Sequence, residues 1–255
     1  MTAPRTAGPP DDRGRAVIGR VALALAAAGL AAFLLWPQAF APLLRPLTQN
    51  GAPPIYTQTS LLALTLWHLA LVAAAVAASA TLAVGLGILV TRPGWRDFLP
   101  LARTVTSVGQ TFPPVAVLAL AVPLMGFGSG PTLLALFLYG LLPIFENTLA
   151  GLTNLPPAVA EAARGMGMTP AQRLVQVELP LALPVILAGV RLSAVIALST
   201  ATIGSTVAAR TLGEVIIAGL LSSNTAFVVQ GGVVVGVLAL LIHAGFVWLE
   251  RRLSA

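Results

Sequence analysis

The chain contains no cysteine and no lysine, and charged residues of either sign make up only 9% of its 255 positions. The missing cysteine excludes disulfides, thiolate catalysis and cysteine-ligated metal. The missing lysine excludes a Walker-type phosphate loop, which needs that side chain. If ATP drives any process here, another subunit hydrolyses it, and this chain needs no cofactor of its own. Soluble domains carry about 25% charged residues. With 57% hydrophobic residues and a mean hydropathy of +0.93, this is an integral membrane protein. A spanning helix takes about 20 apolar residues, so the length allows roughly six spans with loops. The 24 glycines and 20 prolines do not argue for disorder, because both are tolerated within membrane helices. No Ser-His-acid grouping or metal-ligand cluster supports catalysis, so the chain is not expected to be an enzyme.

Residues 1–16, rich in Pro, Gly, Asp and Arg, read as a disordered tail. The first span is expected at about 17–36, followed by an external loop at 37–58. The alternative is a signal peptide cut near Ala39-Phe40-Ala41, but the apolar run exceeds the usual h-region of about 7–15 residues. Residues 59–90 suggest a short interfacial helix leading into a second span at about 66–90. A polar turn at 91–98 leads to a third span at about 105–126. The glycine-rich loop 126–130 precedes a fourth span at about 131–150. A polar insert occupies 151–179. The fifth span is expected from Pro180 to about Ile203, an irregular external segment with a short apolar helix at 204–228, and the sixth span at about 229–249.

All fourteen basic residues are arginine, and their distribution sets the expected orientation. Arg5, Arg13, Arg15, Arg20, Arg92, Arg96, Arg103, Arg164, Arg173, Arg251 and Arg252 fall on one side of a six-span chain. Only Arg45 and Arg210 fall on the other. The positive-inside rule makes the first side cytoplasmic, with both termini and the insert there. The formal net charge of +6 therefore reflects membrane orientation and not nucleic-acid binding. No internal repeat is evident, which weakens an inverted-repeat transporter.

The insert is the most informative stretch. Pro156-Pro157 can open a helix, since proline suits the first turn. Ala158, Glu161, Ala162 and Gly165 then share a mostly small face at helical spacing. Gly165 and Gly167 suit a sharp turn. Thr169-Pro170-Ala171-Gln172 restarts a helix with a capping box, and Leu179-Pro180 is expected to end it at the membrane. The plain alternative is an amphipathic connector lying on the membrane surface.

The spacing Glu161-Ala162-Ala163, Gly167, Val177, Leu179-Pro180 resembles the EAA loop of type I ABC importer permeases. The runs Gln110-Thr111-Phe112-Pro113-Pro114, Ala135 to Tyr139, Leu142-Pro143-Ile144 and Ala201-Thr202-Ile203 resemble the osmoprotectant branch, which handles glycine betaine, choline, carnitine and related amino-acid-like compounds. The likeness covers about residues 60–252. It implies an all-α polytopic fold of about six spans, with the permease core at 59–255, the coupling loop at 156–180, and the first helix with its loop at 17–58 as an addition. It implies cytoplasmic ABC ATPase subunits, an external substrate-binding protein, a second permease subunit and surrounding membrane lipid as partners, in a bacterial inner membrane. Glu161, Ala162, Ala163, Arg164, Met166, Gly167, Met168, Leu179 and Pro180 then become candidates for ATPase coupling, with the two methionines filling an irregular cleft. Two departures stand out. The family's glycine-rich turn is replaced by Ala208-Ala209-Arg210-Thr211-Leu212-Gly213, where Arg210 would repel a cationic substrate. Glu146 replaces a basic residue.

Asn147, Arg191, Thr200, Thr202 and Arg210 are the candidates for the substrate pathway. Arg191, read as mid-depth in the fifth span, suits an interhelical contact better than a substrate contact. Ser193, Ser199, Thr200 and Thr202 can line a pore or bond backbone carbonyls. His68 and His243 stand alone in apolar runs and read as packed residues. Glu146 is the only acid inside an expected span. It suits an ion pair with a nearby arginine, or, in the rival class of secondary transporter, a proton or ion site. A non-transporting scaffold is the third reading.

Overall fold

The computed structural model describes residues 12–253, with side chains from Ile18. The tail expected at 1–16 lies outside the described residues as far as residue 11, but residues 12–16 are already helical. Helix α1 runs Asp12–Leu35. The expected external loop instead carries three short helical turns, Pro37–Phe40, Ala41–Leu44 and Arg45–Leu47, each with a proline in its first turn.

Helix α2 is one unbroken rod, Leu61–Val90, capped where Ser60 Oγ accepts from Ala63 N. At 1.5 Å per residue it reaches about 45 Å. The expected interfacial helix is therefore absent: the apolar run at 61–65 is the first turn of the span, and nothing between Leu61 and Val90 breaks it. The turn Pro93–Phe98 follows.

The third span is not straight. Helices α3 (Leu99–Thr111) and α4 (Pro114–Met125) meet at a bend of 94°. Phe112, held before a proline, takes extended backbone with φ −102° and ψ 141°, the region that residues preceding proline are pushed into. Two consecutive prolines remove two backbone donors. The hydroxyl of Tyr139 donates to the freed Phe112 carbonyl, holding the corner.

Helix α5 (Ser129–Thr153) is the centre of the bundle. Helix α6 (Pro157–Gly165) turns back from its end, and α7 runs Pro170–Val207. The second insert helix was expected to stop at Leu179-Pro180; it continues into the span. A π turn at Leu174–Glu178 widens the helix before Pro180, so the ring is accommodated without a break. Helices α8 (Gly213–Leu221) and α9 (Thr225–Leu253) complete the chain. Five helices are long and apolar enough to cross a membrane, or six when the bent pair is one crossing.

Small residues set the spacing of the bundle. Gly140 on α5 faces Ser79 of α2 and Ser193 of α7. Ser193 Oγ donates to the Gly140 carbonyl at 2.8 Å, and Ser79 Oγ to the Phe137 carbonyl at 2.8 Å. Gly151 meets Ala182, and Gly189 meets Asn147. This is how membrane helices gain close contact without a hydrophobic driving force between them. One buried cluster, including Ala83, Leu141, Ile144 and Phe145, fills the half nearer the insert. Another, including Leu64, Leu136, Leu198, Leu212 and Val234, fills the opposite half. There the loop after the short turns is stitched to α8 and α9. Gln230 donates to the Pro54 carbonyl and accepts from Tyr56 N, while Asn224 donates to the Pro53 carbonyl.

Candidate functional site

The insert folds as the short helix α6 and the first turns of α7, joined by a tight turn. Pro156 caps α6 and Pro157 occupies its first turn. At the other end Met168 N donates to the Ala163 carbonyl at 3.2 Å and Gly167 N to the Arg164 carbonyl at 3.0 Å. Gly167 has φ +74°. These bonds make a Schellman cap, which needs a left-handed residue at that point. The turn then delivers Thr169. Its hydroxyl accepts from Gln172 N, and its own N–H donates to Gln172 Oε1 at 2.8 Å. The capping box read from sequence is present.

Ala158, Glu161, Ala162, Arg164 and Gly165 are exposed, and Met166 is 72% exposed. Met168 is half-buried. Ala163 is buried and forms the inner side of the turn. Leu179 packs with Leu152, Ala182 and Ile186, while Pro180 is exposed. The nine coupling candidates thus divide into an outward set on α6 and its turn, an inward pair, Ala163 and Leu179, that fixes the turn to the bundle, and Pro180, exposed on α7. A second tie is the ion pair of Arg92 with Glu178, at 2.7 Å and largely shielded. It clamps the α2–α3 turn to α7.

The substrate-pathway candidates are not gathered in one place. Asn147 donates to the Pro143 carbonyl one turn back, against Gly189. Arg191 pairs with Glu250 at 3.2 Å. Arg191 stands on α7 between Gly189, which meets Asn147, and Ser193, which bonds the Gly140 carbonyl at the middle of α5, and its pair with Glu250 joins α7 to the last turn of α9. Thr200 is half-buried on α7. Thr202 donates to the Ser199 carbonyl and lines a shallow cleft of about 180 Å³ with Thr206, Ile216 and Ile217; none of the other four borders it. Arg210 is exposed at the opposite end of the bundle. Ser193 is buried on a backbone carbonyl, and Ser199 bonds the Val195 carbonyl.

Glu146 is held by Arg103 through two contacts, 2.9 Å from Nε to Oε1 and 3.3 Å from Nη2 to Oε2, and the pair is half-exposed. His68 is fully buried. Its Nε2 lies 2.9 Å from the Leu198 carbonyl, and its Nδ1 accepts from Leu212 N at 3.2 Å. These partners fix the Nε2–H tautomer and tie α2 to α7 and α8. Among the described residues no group of three His, Cys, Asp or Glu is placed to hold a metal. Sequence reasoning missed one polar cluster: Glu214 Oε1 accepts from Tyr56 and Thr59, both at 2.7 Å. The signal available was an acid opening a short apolar helix. Burial, and then the Glu214 bond, push the Tyr56 hydroxyl up to about 12.

This architecture matches known proteins. Residues 83–255 fit the family model described as the binding-protein-dependent transport system inner membrane component. The chain belongs to this family. The permease is 40% identical over 197 residues to the osmoprotectant import permease protein OsmY of Salmonella typhimurium, covering 77% of this chain and 84% of that protein. It is 41% identical over 177 residues to the glycine betaine/carnitine/choline transport system permease protein OpuCD of Bacillus subtilis, covering 69% and 76%. In fold, the permease is similar to a chain of the inward-facing MetNI methionine ABC transporter, with a TM-score of 0.65 at 22% identity, over 76% of this chain and 95% of that one. It is the membrane component of an ABC importer, a multi-pass protein of the inner-membrane class, and by family not the catalytic subunit. The secondary-transporter reading of Glu146 finds no support in these relatives.

Proposed function

We propose that the permease imports a small osmoprotectant of the glycine betaine, choline or carnitine class, driven by cytoplasmic ATPase subunits that grip α6. The observation that carries the coupling role is the exposed, small-residue face of α6, held at a fixed angle to α7 by the Gly167 turn, while the Arg92–Glu178 pair ties α7 to the α2–α3 turn. The names of the relatives support the substrate class. An external binding protein delivers the substrate, and a second permease subunit completes the pathway. Both termini and α6 face the cytoplasm, following the arginine asymmetry. ATP binding closes the ATPase pair, α6 moves with it, and α7 carries that movement into the membrane. Met166 and Met168 pack into the ATPase cleft, while Glu161 supplies the one carboxylate of α6. Glu146, paired with Arg103, acts as an anchor and not as a proton carrier.

The test is reconstitution of the permease with its ATPase and binding protein, measuring uptake of labelled glycine betaine, choline and carnitine. ATP-dependent uptake of at least one is expected. Glu146→Gln is expected to retain it, with a stability loss of about 0–1 kcal/mol for a half-exposed pair. Uptake driven by a pH gradient without ATP, and abolished by that substitution, overturns the coupling. ATP-driven uptake of none of the three overturns the substrate class alone.

A further inference from the structure

Beside α6 lies a cleft of about 580 Å³, and of the coupling candidates only Arg164 lines it. It is bounded by the α2–α3 turn, the end of α5, the inner side of α6 and the start of α7. Four guanidinium groups line it, those of Arg92, Arg96, Arg164 and Arg173, against one carboxylate, Glu178. Arg92 is already committed. It bonds Glu178 and the Thr91 hydroxyl. No carboxylate lies within ion-pair distance of Arg96, Arg164 or Arg173 among the described residues. Arg173 adds an independent sign: its Nε is buried and has no hydrogen-bond partner. A buried, unbonded donor on a cation is expensive to leave so, and three uncompensated cations drawn from three separate elements repel one another.

We propose that this cleft binds a phosphate group, presented by an anionic phospholipid at the membrane surface or by a free phosphate compound. Guanidinium forks match the tetrahedral oxygens of phosphate and bond it with charge assistance. The site sits beside the ends of α2 and α5, where the spans leave the bilayer, so a lipid headgroup reaches it without leaving the membrane plane. An occupant bonded to Arg96, Arg164 and Arg173 ties α6 to the α2–α3 turn and to α7. It adjusts how firmly the coupling helix is held. This goes beyond the import reading and does not depend on which substrate is carried.

The experiment measures thermal unfolding and probe binding of the purified permease–ATPase complex, with no transport assay involved. One arm titrates pyrophosphate in neutral detergent against sodium chloride at matched ionic strength. The other compares nanodiscs of phosphatidylcholine with nanodiscs containing phosphatidylglycerol. Stabilisation is expected in at least one arm, and which arm responds identifies the source. Arg173→Gln and the exposed-site variant Arg96→Gln should each weaken the responding probe about tenfold. Arg96→Gln keeps the test intact if Arg173→Gln folds poorly. No stabilisation by either probe, or equal stabilisation of wild type and variants, overturns the site. Loss of ATPase subunits from the variants with an unchanged probe response also overturns it, by making the cluster a protein contact.

Discussion

Gly167 and Ala208 both hold left-handed backbone at turns, one as a glycine and one without being glycine. Gly167 has φ +74° with open space around its missing side chain, so the constraint there is conformational and not steric. Gly167→Val is therefore expected to strain the backbone by more than the 1–2 kcal/mol or so typical of a left-handed non-glycine, and to lose the cap that aims α6. The protein should still insert, while ligand-stimulated transport falls to near background; transport at the wild-type rate would detach α6 from coupling. Ala208 has φ +64° without being glycine. It stands where the osmoprotectant permeases are expected to have their glycine-rich turn, so the turn persists although the residue does not. Ala208→Gly should raise stability by about 1 kcal/mol, read as a higher Tm in detergent. An unchanged or lower Tm would show that the left-handed alanine carries no strain.

The elements were legible in the sequence where one property decided them. Apolar runs located the spans, and Thr169 with Gln172 announced the start of α7. The bend between α3 and α4 was not seen, because Pro113-Pro114 lies within a run apolar enough to be read through. The passage of α7 beyond Pro180 was missed for the converse reason: a proline that ordinarily stops a helix is absorbed by a π turn. Contacts between distant elements left no sequence signal. The Tyr56–Glu214 bond joins residues 158 positions apart. It fastens the loop after the short turns to α8, and it carries a pH signature. The folded Tyr56 hydroxyl keeps its proton up to about 12 against an ordinary value of 10.0. Between those values the unfolded chain has released the proton and the fold has not. This contribution to stability is complete below pH 10 and is lost as the pH rises toward 12. Melting curves across that range should fall more steeply for wild type than for Tyr56→Phe, and parallel curves would show that the fold does not hold the Tyr56 proton.

At the scale of the molecule, the arginine asymmetry makes a strong statement about orientation that the fold alone does not address. The absence of cysteine makes it simple to test with single replacements. Arg164→Cys should resist an impermeant thiol reagent in intact cells and react after permeabilisation, whereas Gln49→Cys, in the loop at the other end, should react at once. Labelling at 164 in intact cells would invert the topology. The site itself was only partly readable. Its coupling loop is local in sequence, so motif and caps reveal it. Asn147, Arg191, Thr200, Thr202 and Arg210 lie dispersed along the chain, so no local pattern marks a substrate route.

Helix α7 runs without interruption from the coupling turn to the far side of the bundle, 38 residues from Pro170 to Val207. At 1.5 Å per residue its length is about 57 Å. A tilt of about ten degrees about its base sweeps the far end through roughly 10 Å, by the same helical rise. On the proposed coupling, an ATPase that holds α6 needs only a small angular stroke. Leverage turns a modest rocking at the surface into a displacement comparable to the width of a helix, and Arg210 and the turn around Ala208 ride at the fast end of that arm.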